Sequence, residues 1–229
     1  MREIVFDTET TGIDPLEGHR LVEIGCVELV NLLPTGRVYQ AYINPERDMP
    51  VEAFRVHGLS SEFLSDKPVF SQVVEGFLEF LGEDSRLVAH NADFDMRFIN
   101  WELENVGFAP LTSSRVVDTL AMARRKFPGM RASLDNLCRR FNVDLSARTK
   151  HGALLDSELL AEVYLELKGG RQKGLELTGI ENQKQAEATD MQLATAAARP
   201  VRPHQATDIE KAAHAAFLEK LKDPIWTRS

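Results

Sequence analysis

An α/β domain built on a mixed five-stranded sheet flanked by helices is what residues 1–170 of this 229-residue chain predict. Three strand-like segments with short connections open the chain, two further apolar strands each run into a helix, and an amphipathic helix closes the region. Ile4-Val5-Phe6 is a short apolar run typical of a buried strand, and it ends at Asp7. Arg20 to Val30 alternates through Leu21, Val22, Ile24, Val27 and Leu29, and Val38 to Ile43 supplies a third strand. Their short connections predict an antiparallel meander. After Pro50 the pattern turns helical, most clearly over Phe70 to Leu81, where Val73, Val74, Phe77, Leu78 and Leu81 share a face. A fourth strand, Arg86 to Ala89, meets a helix from about Asp93 to Val106. A fifth, Val116-Val117, runs into a helix stopped by Pro128-Gly129. Ser133 caps another helix through Arg140, and the last extends from about Gly152 to Lys168.

Beyond Gly169-Gly170 the composition shifts to Gln, Ala, Thr and Lys. Residues 171–205 read as a flexible linker, because they lack the apolar density to offset their ordering entropy. Residues 206–229 recover a helical signature over 207–222, with Thr207 or Asp208 as cap and Ile209, Ala212, Ala213, Ala216, Phe217 and Leu221 spaced for one face. This predicts a short docking helix at the end of a flexible tail.

The net charge is −8, with 18 basic and 27 acidic groups on residues 1–170. Taken alone, that sign argues against a nucleic-acid partner. The residues between Arg115 and Lys150 run the other way, with nine Lys or Arg against three acids. No apolar run approaches the ~20 residues that cross a bilayer, and the N-terminus has no apolar signal core. Cys26 and Cys138 form no zinc or disulfide pattern, so the expectation is a cytoplasmic protein.

Asp7-Thr8-Glu9, followed at once by Thr10-Thr11-Gly12, is the sharpest chemical feature. Residues two apart on a strand point the same way, so both carboxylates project into one pocket. A hard divalent cation keeps such a pair ionised most cheaply. The competing reading is an exposed acidic turn. His90-Asn91-Ala92-Asp93-Phe94-Asp95 places further acids where a strand opens into a helix, which is where open α/β sheets bind ligands. Asp93 there reads as a helix N-terminal acid only. His151 stands at the mouth of the last helix and Asp156 one turn inside it, amid Ala153, Leu154, Leu155, Leu159 and Leu160. A carboxylate in such a run is costly unless paired or metal-bound. His57 and His90 are competing histidines, each with a structural reading.

Together, an Asp-x-Glu, an Asn-x-x-Phe-Asp and a His-x4-Asp in this order and spacing resemble the three motifs of the DEDDh family of 3′ to 5′ exonucleases. Val56-His57-Gly58 and Arg148 to Asp156 look like its epsilon-type branch, the proofreading subunits of bacterial DNA polymerase III. So does the segment around Ala206 to Glu210 ahead of Trp226. The resemblance covers most of residues 2–168 and implies a ribonuclease-H-like fold. It also implies that Asp7, Glu9, Asp95 and Asp156 hold two divalent cations, Mg²⁺ or Mn²⁺. His151 would be the general base, and the products nucleoside 5′-monophosphates released from DNA 3′ ends, single-stranded or frayed at a mismatch. Thr10, Thr11 and Gly12 would receive the terminal nucleotide, His57 and Asn91 would border it, and Phe94 would pack against its base or sugar. The C-terminal segment resembles the part that binds the polymerase catalytic (alpha) subunit. Gln172 to Leu177 resembles the Gln-x-x-Leu-x-Leu peptides that dock on the sliding clamp. A free-standing 3′–5′ exoribonuclease and a non-catalytic bridge between polymerase and clamp are the competing functions. The tail argues against the first and the carboxylate set against the second.

Overall fold

Strand β1 runs from Arg2 to Thr10, three residues past Asp7, where the apolar run predicts its end. Asp7 and Glu9 therefore lie within the strand, because Thr8 and Thr10 are β-branched and the pairing with β2 (Leu21–Val30) continues alongside them. In this computed structural model, which describes residues 1–146, 148, 150–170 and 206–220, β2 also pairs antiparallel with β3 (Leu33–Tyr42), giving the meander. Strands β4 (Arg86–Ala89) and β5 (Val116–Asp118) add in parallel, so the order is β3-β2-β1-β4-β5.

The helices of this unit are α1 (Val51–His57), α2 (Ser61–Leu64), α3 (Phe70–Leu81), α4 (Ala92–Asn105), α5 (Thr119–Lys126), α6 (Leu134–Phe141) and α7 (Ala153–Leu167). They cover both faces of the sheet. Ile4 and Phe6 of β1 pack with Phe77 of α3 and with Phe98 and Ile99 of α4. Val5, on the other face, packs with α6 and α7 through Leu137, Leu160 and Tyr164. This alternation decides the site, since Asp7 and Glu9 continue the Val5 face and Thr8 the Phe6 face.

The chain divides into two units, Met1–Glu176 and Leu177–Ser229. In the second, α8 (Asp208–Leu218) is closed by a capping box in which Thr207 and Glu210 bond reciprocally, and Ile209 and Phe217 are exposed. The expected linker, the Gln172 to Leu177 peptide, Leu221 and Trp226 lie outside the described residues. Among the described residues no helix is long and apolar enough to cross a membrane.

Candidate active site

The parallel pairing of β1 with β4 stops early. Glu3, Ile4 and Val5 pair with Arg86, Leu87 and Val88, and β4 ends one residue later. The rest of β1 overhangs the turn into α4, where Asn91 takes a left-handed conformation (φ 65°, ψ 50°) and its N–H donates to Asp118 Oδ1 at 3.0 Å. The first turn of α4 thereby brings Asp95 against β1, where Thr8 Oγ1 donates to Asp95 Oδ1 at 2.7 Å.

Asp156 arrives from the opposite face. Asp7 stands opposite Gly25 in the β1/β2 ladder. A Cβ on Gly25 would lie 2.2 Å from the backbone of Ala153 and Leu154, so only glycine lets the start of α7 sit this close to the sheet. Ser157 Oγ donates to the Gly25 carbonyl at 2.9 Å, and the Ala153 N–H donates to Glu23 Oε2 at 3.2 Å. These contacts lay Asp156 over the Asp7-Glu9 pair.

A cavity of about 720 Å³ opens here, lined on one side by Asp7, Glu9, Asp95, Asp156 and His151. Among the described residues, Glu9, His151 and Asp156 bring one donor atom each to within 4.8 Å of one another. Burial pushes Asp7 well above the usual carboxylate range, and repulsion from Asp95, Glu9 and Asp156 adds to it. Burial, with Asp156, Glu23 and Asp95 nearby, raises Glu9 to about 8. Asp95 is raised to about 7, mainly by burial, with the Thr8 hydrogen bond opposing. Among the described residues no Lys or Arg pairs with Asp7, Glu9 or Asp95. All-oxygen donors, buried or half-buried side by side and short of positive charge, fit a hard divalent cation.

Asp156 differs. Burial alone would raise it, but His151 and Arg148 beside it hold it below the usual range. Arg148 and His151 belong to the segment before α7, which is tied down where the His151 N–H donates to Val56 O at 3.3 Å. Lys150 Nζ lies 5.0 Å from the centre of the Phe54 ring, against the same helix. His151 is half exposed at the cavity rim, its Nδ1 3.2 Å from Asp156 Oδ2.

A second cavity, about 510 Å³, shares Thr8, Glu9 and Phe94 with the first and is lined by Thr10, Thr11, Gly12, His19 and His57. Thr10 Oγ1 donates to the Gly12 carbonyl at 2.6 Å, and Thr11 Oγ1 lies 3.2 Å from His19 Nδ1. His19 was not signalled by the sequence pattern, although its ring is close enough to Gly12 to exclude any Cβ there. His57 is buried, its Nδ1 accepts the Leu59 N–H at 3.0 Å, and among the described residues its Nε2 has no hydrogen-bond partner. Asn91 and Phe94 stand on the wall of the first cavity, and Phe94 borders both. His90 is structural, with Nδ1 donating to Thr119 Oγ1 at 2.9 Å while that hydroxyl donates to Ala89 O. Asp93 is exposed and is not among the residues that line the cavity of the carboxylate cluster.

The basic stretch proves to be several separate things. Arg115 donates to backbone carbonyls of Gly82 and Ser85, Lys126 to carbonyls at the end of α7, and Arg140 stacks 3.9 Å over Phe127. Arg124, Arg131 and Arg148 line the large cavity.

Residues 4–164 match the RNase T exonuclease family. The DNA polymerase III subunit epsilon of Rickettsia felis is 56% identical over 180 residues, 77% of this chain and 78% of that protein. That of Escherichia coli K12 is 45% identical over 226 residues, 95% of this chain and 92% of that one. Among solved structures, the nuclease domain of 3′hExo, a DEDDh family member bound to rAMP, superimposes with a TM-score of 0.63 at 18% identity, over 72% of this chain and 90% of that one, a likeness of fold. With fold, motifs and relatives in agreement, the chain belongs to the DEDDh exonucleases and, among them, to the epsilon subunits of DNA polymerase III, the proofreading 3′–5′ exonucleases of that polymerase.

Proposed function

We propose that the cavity lined by Asp7, Glu9, Asp95 and Asp156 is where the 3′-terminal phosphodiester of DNA is hydrolysed, with these four side chains holding two divalent cations, Mg²⁺ or Mn²⁺. The observation that carries this reading is the convergence of Asp7, Glu9 and Asp95 with, among the described residues, no Lys or Arg paired to any of them. Bound there, the cations supply activation of water and stabilisation of the leaving 3′ oxygen.

The chain's own residues do the rest. His151, at the solvent-facing rim, takes the proton of the attacking water, a task suited to an imidazole near neutral pH. Thr8 fixes the Asp95 carboxylate through its hydroxyl. The adjoining trough of Thr10, Thr11 and Gly12, bordered by His57 and with Asn91 at the neighbouring wall, receives the terminal nucleotide. Phe94, shared by both cavities, packs against its base or sugar, a contact indifferent to base identity. Arg124 and Arg131, which line the same cavity, meet the phosphates of the incoming strand.

The relatives' name places them in DNA polymerase III. For this chain, residues 206–229 are assigned to docking on the polymerase catalytic (alpha) subunit and Gln172 to Leu177 to the sliding clamp. A tether between two docking points raises the local concentration of the nuclease at the primer end.

The test is a side-by-side assay on matched DNA, mismatched DNA and RNA 3′ ends, with and without the polymerase subunit. Mg²⁺-dependent release of mononucleotides, fastest from the mismatched DNA end, is expected, and His151→Ala lowers turnover ~10²–10⁴-fold. Full activity in excess EDTA or in the His151 variant, or a preference for RNA, contradicts the reading. Deleting residues 171–229 should leave nuclease activity intact and abolish co-elution with the polymerase subunit.

A further inference from the structure

Arg148 closes both oxygens of Asp156. Its Nε donates to Oδ1 at 2.5 Å and its Nη2 to Oδ2 at 2.7 Å, with the Asp156 side chain only 3% exposed. Nη2 also lies 2.8 Å from His151 Nδ1. A guanidinium nitrogen can only donate, so in that contact the ring nitrogen offers its lone pair. Nη1 bonds to Asp135, which is part-exposed, lies on α6 and lines the same cavity. One side chain thus occupies Asp156 and His151 together and keeps a third partner in Asp135.

A divalent cation on Asp156 would stand a few ångströms from the guanidinium, and two positive groups that close repel. We propose that Arg148 is a built-in counter-ion of the metal site, held on Asp156 until a divalent cation displaces it, and retained afterwards by Asp135. This rests on the metal-binding role proposed for the four carboxylates. The contrast with Arg20 supports it. Arg20 grips Glu102 in the same bidentate way, but Glu102 also accepts the Leu21 N–H, and none of the four cluster acids is among its partners. Arg148, by contrast, lies outside any helix or strand and faces a cavity. Its departure frees Asp156 and breaks the contact with His151 Nδ1 in one movement, so that cation loading changes the surroundings of the base.

The experiment is calorimetric titration of Mn²⁺ into the metal-free, full-length protein, comparing wild type with Arg148→Gln and Arg148→Lys. Arg148→Gln should bind the first cation about tenfold tighter or more, from removal of one nearby positive charge. Arg148→Lys, which keeps the charge without the bidentate fork, should fall between them. In the wild type, the Arg148 Nε–H resonance should move on addition of Mg²⁺, a readout that holds even if a variant folds poorly. Equal or weaker affinity in Arg148→Gln, or an Nε–H signal unmoved at saturating Mg²⁺, overturns the counter-ion role and leaves the metal site standing. A wild type that takes up no cation overturns both.

Discussion

Glu28 and Glu102 are buried much as Glu9 and Asp95 are, yet arginine grips each of the first two and neither of the second two. Glu28 accepts from Arg2 at 2.6 Å, Arg37 at 3.0 Å and Thr35 at 2.7 Å, which together pull its pKa below the ordinary value. Glu102 accepts two bonds from Arg20, at 2.7 and 2.9 Å. Burial of an acid is thus not itself a mark of function in this domain. The mark is burial among other acids where, among the described residues, Asp7, Glu9 and Asp95 have no Lys or Arg paired to them, a set of donors that suits a divalent cation. Asp156 stands between the two groups, a member of the cluster that has an arginine.

Substitutions on the two sides of this comparison should separate activity from stability. Asp7→Asn removes a central cluster ligand, and exonuclease turnover on a mismatched primer should fall on the order of 10³-fold or more. Turnover within tenfold of wild type would break the distinction. Arg20→Ala strands Glu102 without its counter-charge and should cost about 3 kcal/mol in urea unfolding, with turnover of the folded fraction unchanged. A larger effect on turnover than on stability would place that pair in the site.

The smallest effect is on pH dependence. Glu9 is held at about 8 against an ordinary 4.5, and Asp95 at about 7 against 3.8, so the folded metal-free protein keeps protons that the unfolded chain releases. The stability these groups contribute is complete below the unfolded values and drains away as pH rises through the folded ones. In EDTA, unfolding free energy should therefore decline between about pH 5 and pH 8, and saturating Mg²⁺ should abolish the decline. A flat or rising profile without metal would show that the acids are compensated by some other charge.

Much of this was legible in the sequence. Alternation and apolar runs gave the five strands and their order of appearance, and the spacing of Asp7, Glu9, Asp95, His151 and Asp156 matched a family pattern. What stayed hidden depends on register between segments distant in the chain. Gly25 looks like any strand glycine until its pairing with Asp7 and the approach of Ala153 are seen together. Asp7 and Glu9 were placed at a strand end because the apolar run stops at Phe6, whereas pairing with β2 carries the strand through Thr10. The basic stretch counted nine like charges, but charge counting cannot tell that Arg115 and Lys126 are spent on backbone carbonyls and that Arg124 and Arg131 face the site. Arg148 was read as one of that basic surface, and its grip on Asp156 is a property of the fold.

The most direct test of the uncompensated cluster is thermal unfolding of metal-free wild type and Asp7→Asn near pH 8, each with and without Mg²⁺. Replacing a buried, repelled carboxylate by its neutral isostere should raise the melting temperature of the metal-free protein, while the increment gained from Mg²⁺ should be large in wild type and small in the variant. A metal-free variant that melts below wild type, with an equal gain from Mg²⁺ in both, would contradict the account.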